Sequence, residues 1–517
     1  MKISLISLNA YSSSLGIRHL SSALKEKGHA VKAIFLFPAN IKEFYPQLLP
    51  DKLLRELKEL VSDSELIGIS CFSSEAKEAI RVIKYLKGLN KPIVWGGVYA
   101  TSLPDKCIKY ADIVCIGEGE EAICELAERM ENKLPYLDTK NFWFKADNRV
   151  IKNPVRPLIH DLDSLPTQDY GPLDNYVREG GGLIPASQSR YFRYPSELVL
   201  FTIRGCPYKC TFCYNSFARA LYLDKGPYVR KMSIQNVITQ LKQLKDRFPK
   251  VRHVWFVDDC FFVRTVEELF LFSKEYKEKI NLPFRVFLHP RYVTEEKLIL
   301  ALAAGGLSSI DVGVQTGSES FNRNLYKRFV SNEEILRAAK LINKFAGKME
   351  APPRYEFIYH NPYETEKDLL ATIALIQKLP PPCTIHAFPL QFFEATELYK
   401  KAKEDGLLKK KIISLHDYRQ AFRQINSNGL YLNFLIFLLG EYDGVVTRYQ
   451  IGCVPRYLLP ILTSRKAINY YKRHRKELAA LIDDYFRLAN AVDYLKETGN
   501  KYRVFNKFIL HAIKHFA

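Results

Sequence analysis

Three cysteines in one short segment are the residues of this chain best suited to chemistry. Residues 205–213 read GCPYKCTFC, so Cys206, Cys210 and Cys213 have the spacing C-x3-C-x2-C. Three thiolates on one loop can hold one face of an iron–sulfur cluster. Because such clusters usually take four cysteine ligands, a missing fourth leaves one iron open to a substrate or cofactor. A zinc site completed by a histidine is the alternative, but the nearest histidines are distant in the sequence.

The remaining cysteines and the apolar runs indicate the compartment. The other seven cysteines are scattered singly along the 517 residues. A large cytosolic chain has no need of disulfides, so the clustered three are read as metal-binding or catalytic. The longest apolar run, 431–440, is about half of what a membrane span needs, and the N-terminus lacks a signal-peptide pattern. We expect a cytoplasmic protein.

Residues 1–135 are expected to form a doubly wound, Rossmann-like parallel sheet. Short β-rich runs alternate there with amphipathic helical patterns, which is typical of right-handed β–α–β units. Small residues follow several of the runs. Ligands bind at the carboxyl ends of strands in open α/β sheets, so this sheet is expected to present a binding site at that edge.

Three further segments complete the predicted organisation. Proline and glycine punctuate 136–197, which is read as an irregular linker. Six β/α units then fill 198–400 and indicate a partial parallel barrel, with the cysteine motif directly after its first strand. Residues 401–517 are basic and aromatic, without clear strands, and are expected to form a mostly helical domain that shapes the substrate pocket. The fold class is therefore α/β throughout the first 400 residues.

The cysteine motif after the first strand of a six-unit barrel resembles the radical S-adenosylmethionine (radical SAM) superfamily. The resemblance implies that the three thiolates hold a 4Fe–4S cluster and that the open iron binds the amino and carboxylate groups of SAM. One electron from the cluster then cleaves SAM to a 5′-deoxyadenosyl radical. Phe212, just before the third cysteine, matches the family's aromatic residue near the adenine.

A second strand-end segment resembles the family motif that meets the SAM amino group. Residues 256–261 read FVDDCF, and an ammonium beside Asp258 or Asp259 is favourable electrostatically. Strand alternation sends the two side chains to opposite sides, so only one should face the barrel interior. The alternative is an aspartate that caps the next helix.

A third segment matches the family and a fourth departs from it. Residues 313–319, GVQTGSE, resemble the segment whose polar side chains usually face SAM, here Gln315 and Ser318. Residues 360–365 read HNPYET where related enzymes often read G-x-P-G-E-T. Two glycines are lost, so family contacts are not carried over to that segment.

The first 130 residues resemble the cobalamin-binding domain that precedes the barrel in one large radical SAM subfamily. Small residues at strand ends let the backbone approach the nucleotide tail of a corrinoid closely. The resemblance implies contacts from Ser70, Gly96, Gly97, Tyr99, Gly117, Glu118 and Gly119. The D-x-H-x-x-G pattern is missing, so cobalt is not expected to have a histidine on its lower face. A vestigial domain that binds no corrinoid is the alternative.

The resemblance implies a cobalamin-dependent radical SAM methyltransferase that acts on an unactivated carbon. One SAM methylates cobalamin, a second yields the radical that abstracts a substrate hydrogen, and the substrate radical takes the methyl group from methylcobalamin. A cyclase, a rearranging enzyme or a C–C coupling enzyme with the same domain order is the alternative. A non-catalytic iron–sulfur or corrinoid carrier is a third hypothesis.

The partners are less defined by the sequence. The formal net charge is +20, much of it after residue 400, which allows a peripheral membrane contact but also fits a solvated basic surface. We expect a small-molecule, lipid or peptide substrate, an electron donor such as flavodoxin or ferredoxin, and no nucleic acid. Aromatic residues could line an apolar substrate site or form the helical core: Tyr418, Phe422, Tyr431, Phe434, Phe437, Tyr442 and Tyr449.

Overall fold

The structure is a computed structural model that describes residues 1–10, 14–37, 48–147, 149–193, 195–409, 429–440 and 458–482. These residues form a nine-stranded sheet, a six-stranded sheet and a two-stranded ribbon, with helices packed around them. The α/β architecture expected from the sequence is confirmed.

Five parallel strands form the centre of the first sheet. Their bounds are β1 Lys2–Ala10, β2 Ala30–Phe37, β3 Leu66–Ser70, β4 Ile93–Gly96 and β5 Ile113–Cys115. The order is β5-β4-β3-β1-β2. β1 to β4 are mainly apolar and largely buried, as expected for parallel strands covered by helices on both faces. All five carboxyl ends therefore lie at one edge of the sheet.

The segment 136–197 is not the irregular linker that its prolines and glycines suggested. It contributes four more strands to the first sheet, β6 Phe142–Ala146, β7 Arg149–Lys152, β8 Asn175–Glu179 and β9 Gly182–Pro185. β6 is antiparallel to both β5 and β7. β8 is parallel to β2 and antiparallel to β9. Gly180 and Gly181 form the β8–β9 turn with φ of 62° and 85°, which glycine adopts at little cost. The glycines at this turn thus mark a hairpin rather than irregular chain.

Six parallel strands form the second sheet, in chain order. They are β10 Glu197–Leu200, β13 His253–Phe256, β14 Phe284–Leu288, β15 Leu307–Gln315, β16 Arg354–Tyr359 and β17 Thr384–Pro389. A short antiparallel pair, β11 Ile203–Arg204 and β12 Arg230–Lys231, lies between the first two strands in sequence and flanks the cysteine segment. The predicted partial six-unit barrel is confirmed.

Helices connect the strands of both sheets. Their bounds are α1 Leu15–Glu26, α2 Asp51–Leu60, α3 Ala76–Leu86, α4 Gly97–Ser102, α5 Pro104–Cys107, α6 Glu120–Glu131, α7 Arg190–Arg193, α8 Tyr214–Leu221, α9 Ile234–Arg247, α10 Val266–Lys279, α11 Glu296–Gly305, α12 Glu319–Asn324, α13 Asn332–Asn343, α14 Glu366–Lys378 and α15 Glu397–Glu404. Three of the barrel helices, α10, α13 and α14, begin with capping boxes. Each box satisfies two orphan N–H groups and so fixes where the helix starts.

The described part of 401–517 is helical, as expected. Beyond α15 it contains α16 Leu430–Leu439, α17 Leu459–Leu462 and α18 Arg465–Arg473. Tyr431, Phe434 and Phe437 are buried in α16, so these three aromatic residues belong to the core. The other aromatic candidates, Tyr418, Phe422, Tyr442 and Tyr449, lie outside the described residues. Within the described segments, no helix is long and apolar enough to cross a membrane.

Candidate active site between the two sheets

A cavity of about 500 Å³ lies between the carboxyl ends of the first sheet and the cysteine segment. The sequence predicted these two regions separately, and the structure brings them to one space. The sequence-predicted residues that line the cavity are Ser70, Gly96, Gly97, Gly117, Glu118, Gly119, Cys213 and Asp259. Apolar side chains complete the wall, among them Ile17, Leu20 and Phe201.

Two glycines bring the backbone of the first sheet against the cavity. Gly97 has φ of 86°, and a Cβ added there would lie 2.4 Å from Ser70 Oγ. Gly117 has φ of 84°, and its added Cβ would lie 2.0 Å from Tyr222 Oη. Any other residue would be strained at both positions. This wall is therefore made of backbone and small residues, which suits a large, flat ligand with a nucleotide tail.

Tyr99 is the predicted first-sheet residue that the cavity lining does not include. It lies in α4, and its ring stacks on Trp95 with centroids 5.6 Å apart. Gly16 in α1 does line the cavity, and a Cβ added to it would meet nothing within 4 Å. Gly16 was not among the contacts predicted from the sequence.

Glu118 joins the first sheet to the barrel through two arginines that sequence reasoning missed. Its Oε1 lies 3.1 Å from Arg204 Nη1 and 2.8 Å from Arg230 Nη2, and its Oε2 lies 2.9 Å from Arg230 Nη1. Arg204 also donates to Glu120 at 2.5 Å. Breaking a buried pair leaves an uncompensated charge at a cost of about 3–5 kcal/mol. The network therefore positions the two walls of the cavity. The position of Arg204 directly before the cysteine motif is the sequence feature that could have identified it as a functional residue.

Backbone contacts hold the cysteine segment in place. Gly205 has φ of 84°, and an added Cβ would lie 2.2 Å from the Tyr228 carbonyl oxygen, so the motif must begin with glycine. The Cys213 N–H donates to the Cys210 carbonyl at 2.9 Å, and Cys213 is the N-terminal cap residue of α8. Thr211 donates from its N–H to the Tyr326 carbonyl at 3.1 Å. These bonds tie the segment to the barrel.

Two of the thiols receive hydrogen bonds from outside the segment. Arg328 Nη1 lies 3.9 Å from Cys210 Sγ, and Asn215 Nδ2 lies 3.7 Å from Cys213 Sγ. Hydrogen bonds to the sulfurs are one of the means by which a protein tunes an iron–sulfur cluster. Across the described segments, no three His, Cys, Asp or Glu side chains, these thiols included, are gathered around one metal position, so the fit to a cluster is judged from residue type and spacing. Three thiols on one loop, with donors aimed at two sulfurs, fit the donor set of an iron–sulfur cluster.

The two neighbouring aspartates have different surroundings. Asp258 is 1% exposed, and its carboxylate accepts from the Thr202 N–H at 2.5 Å, the Thr202 hydroxyl at 2.7 Å and the Ile203 N–H at 2.8 Å. Burial raises its pKa to about 6, against the hydrogen bonds from Thr202. Asp259 lines the cavity beside Cys213, and burial also raises its pKa. Of the two aspartates, Asp259 is the one that a ligand in the cavity can reach.

The other predicted SAM-facing residues are Phe212, Gln315 and Ser318. Phe212 packs edge-on against Tyr326, with ring centroids 4.7 Å apart. Gln315 ends β15 with φ of 77°. Ser318 caps α12 and donates from its hydroxyl to Asp368 at 2.5 Å. None of the three is part of the cavity lining, so their contacts to a cofactor stay a prediction.

Comparisons with known proteins agree with this geometry. The family model of the radical SAM superfamily matches residues 200–376, and that of the B12 binding domain matches residues 1–127. An uncharacterized methyltransferase of Pyrococcus horikoshii is 25% identical over 374 residues, which cover 71% of this chain and 73% of the relative. An anaerobic magnesium-protoporphyrin IX monomethyl ester cyclase of Synechocystis is 24% identical over 258 residues, 48% of this chain and 47% of the cyclase.

A solved structure shares the fold. The radical SAM methyltransferase TsrM from Kitasatospora setae superposes with a TM-score of 0.60 and 16% identity, covering 78% of this chain and 76% of TsrM. The two family models together account for both walls of the cavity. This chain belongs to the radical SAM superfamily and is an enzyme with a B12-binding domain ahead of its barrel, whose cofactors are a 4Fe–4S cluster, SAM and cobalamin.

Proposed function

We propose that this enzyme is a methyltransferase that uses cobalamin and radical SAM chemistry on an unactivated carbon of a small molecule. The observation that supports it is the single cavity bounded by the glycine strand ends and by Cys213 and Asp259. A methyl carrier and a hydrogen-abstracting centre must address the same substrate atom, so they need one shared space. Relatives that bear the name methyltransferase support the same reading.

The residues of the chain supply binding and orientation. When bound, the cluster and SAM provide radical chemistry and the corrinoid provides a methyl carrier. Cys206, Cys210 and Cys213 would hold the cluster. Asp259 would accept a hydrogen bond from the SAM ammonium, whereas Asp258 positions the ends of β10 and β13 relative to each other through Thr202.

The first sheet supplies mainly shape, since the charges of Glu118 and Glu120 are paired with arginines. Gly97 and Gly117 would let the backbone lie against a corrinoid, and Ile17 and Leu20 would exclude water from that side of the cavity. Water exclusion matters because a substrate radical must meet the methyl group before it meets another hydrogen donor. Glu118 acts through Arg204 and Arg230 as a positioning residue.

Ring formation is the second candidate. Three magnesium-protoporphyrin ester cyclases among the relatives favour it, since they match 48%, 57% and 69% of this chain. A cyclase and a methyltransferase would share both cofactor sites and differ in the fate of the SAM methyl group.

Anaerobic reconstitution with iron, sulfide and hydroxocobalamin separates the candidates. The protein is incubated with methyl-labelled SAM and a low-potential reductant such as flavodoxin, ferredoxin or dithionite. A methyltransferase should form both 5′-deoxyadenosine and S-adenosylhomocysteine, with label on the corrinoid. Formation of 5′-deoxyadenosine alone by corrinoid-loaded protein would contradict methyl transfer and favour ring formation.

A further inference from the structure

Part of the inner face of the barrel is not covered by packed side chains, and the space beside it is called the chamber. Along β13, β14 and β16 the residues that face the helices are buried, whereas those that alternate with them are half-buried, apart from the buried Arg354. The half-buried set faces the interior and comprises His253, Trp255, Arg285, Phe287, Glu356 and Ile358. A barrel interior closed by layers of packed side chains would bury these residues. Space for a ligand therefore remains inside the barrel.

One carboxylate on the wall of this chamber is shared by two guanidinium groups. Asp311 is fully buried on β15, and its Oδ2 lies 2.5 Å from Arg285 Nε. Its Oδ1 lies 2.7 Å from Arg354 Nε. The two arginines come from the strands on either side of β15. The Nε–H group of each arginine is thus directed at Asp311.

Arg285 is the arginine of this pair whose guanidinium stays accessible. Its side chain is 25% exposed, and its guanidinium lies over the Trp255 ring at 4.6 Å and near the Phe287 ring at 5.7 Å. Within the described part of the chain, Asp311 is the carboxylate within 4 Å of Arg285, and it meets Nε alone. The two terminal nitrogens of a guanidinium form a planar fork that matches an oxyanion.

Two further carboxyls and one further arginine lie near these guanidinium groups. Glu356 lies on β16, and burial, with the charge of Asp311, raises its pKa to about 7. Burial also raises the pKa of Glu197 on β10. Arg328 adds a further positive charge near Glu356.

We propose that the chamber binds an anionic group of the substrate on Arg285, with a planar apolar part of the same molecule against Trp255 and Phe287. The inference rests on the proposed function, because it identifies the chamber with the substrate site of that reaction. The anion could be a carboxylate or a phosphate, since both match the guanidinium fork. The substrate class is therefore an aromatic or conjugated organic acid or phosphate ester.

Equilibrium dialysis of the reconstituted full chain with three probes tests the proposal. The probes are 2-naphthoate, 2-naphthyl phosphate and the uncharged 2-naphthamide. An anion-binding chamber should take one of the two anions roughly tenfold or more tightly than the amide, as expected for one charge-assisted hydrogen-bonded pair. The anion that binds more tightly shows whether the chamber prefers a carboxylate or a phosphate.

Two variants locate the binding. Arg285→Gln should reduce the affinity of the anion to that of the amide, whereas Trp255→Leu should weaken all three probes by a similar factor. Arg156→Gln is the matched control, because Arg156 is also partly buried and paired with a carboxylate, Glu125, but lies outside the barrel. This control should bind all three probes as the wild type does.

Equal affinity of the wild type for the anions and the amide overturns the proposal, and this comparison holds even if Arg285→Gln fails to fold. Loss of anion preference in Arg156→Gln as large as in Arg285→Gln overturns it as well. The dialysis measures binding without turnover. Methyl transfer with no anion preference would therefore reject the chamber alone, and anion preference with no S-adenosylhomocysteine would reject the proposed function alone.

Discussion

The two walls of the active-site cavity are built from different materials. On the first sheet the wall is backbone and small residues, with Gly97 and Gly117 held at positive φ. On the barrel side it includes the Cys213 thiol, the Asp259 carboxylate and the guanidinium groups of Arg204 and Arg230, and the barrel interior adds Arg285. A large neutral surface is recognised by shape, whereas a cluster, an ammonium or an oxyanion is recognised by charge. Added bulk should therefore damage the first wall, and substitutions that keep size but remove charge should damage the second.

The largest effect is expected at the cysteine segment. Replacing Cys206, Cys210 and Cys213 with alanine should abolish the charge-transfer absorption of the cluster and all SAM cleavage, because no other ligand set on this loop can hold the irons. Iron analysis and 5′-deoxyadenosine formation measure the two losses. Cys383→Ala, far along the barrel, should leave both unchanged. Retention of about four irons per chain in the triple variant would contradict the assignment.

The next largest effect is expected at the wall of the cavity that the first sheet forms. Gly16→Phe places a ring into the cavity without a clash at its own Cβ, so corrinoid uptake should fall by at least about tenfold while the cluster remains. That loss needs only about 1.4 kcal/mol of steric cost. Gly347→Phe is the matched control, since Gly347 also has no atom within 4 Å of an added Cβ and lies outside the cavity lining.

Substitution of Gly97 tests the same wall of the cavity with a greater risk to folding. A bulky residue there should also block the corrinoid, but it must adopt φ of 86° and approach Ser70 Oγ, so folding should suffer too. Visible spectra after reconstitution and gel filtration separate the two losses. Normal corrinoid content in Gly16→Phe and in a folded Gly97 variant would mean that the ligand does not occupy this cavity.

The same contrast explains what the sequence could predict. The cysteine triplet and the glycine strand ends are local patterns whose chemistry follows from residue type and spacing, so the sequence predicted both walls. The six β/α units within 198–400 were also predicted, because most of their strands are strongly apolar.

Features set by tertiary register were not predictable. The ion group of Asp311 with Arg285 and Arg354 depends on how three strands align, and no short motif encodes that alignment. The pairing of Glu118 with Arg230 joins residues 112 positions apart. The hairpins within 136–197 were missed because turn glycines and loop glycines look alike in a sequence.

A smaller effect should distinguish the neighbouring aspartates Asp258 and Asp259. Asp259→Asn should weaken SAM binding by roughly ten- to a hundredfold, because a hydrogen bond to a charged group contributes about 1.5–3 kcal/mol. Asp258→Asn should instead lower stability with little change in SAM affinity, since its carboxylate is occupied by Thr202 and Ile203. Calorimetric titration with SAM and thermal melting give the two readouts. Equal affinities for wild type and Asp259→Asn would move the ammonium site to Gln315 or Ser318.

The smallest effect is a pH dependence at the junction of the two walls. His19 lies in α1, is 1% exposed, and its ring centroid is 4.8 Å from that of Phe201 in the barrel. Burial, helped by the charge of Arg204, lowers its pKa from 6.5 to about 4. The unfolded chain therefore binds more protons than the folded one as pH falls through 6.5 towards 4, and stability contributed by neutral His19 is lost over that range. Linkage gives a loss of about 2 kcal/mol in the free energy of unfolding at pH 5 relative to pH 8.

Urea unfolding followed by tryptophan fluorescence measures this loss, since Trp95 and Trp143 lie in the first sheet. His19→Phe should remove this part of the pH dependence, and substitution of the exposed His160 by phenylalanine should retain it. The same acid sensitivity in wild type and His19→Phe would show that His19 is not the group that titrates at this junction.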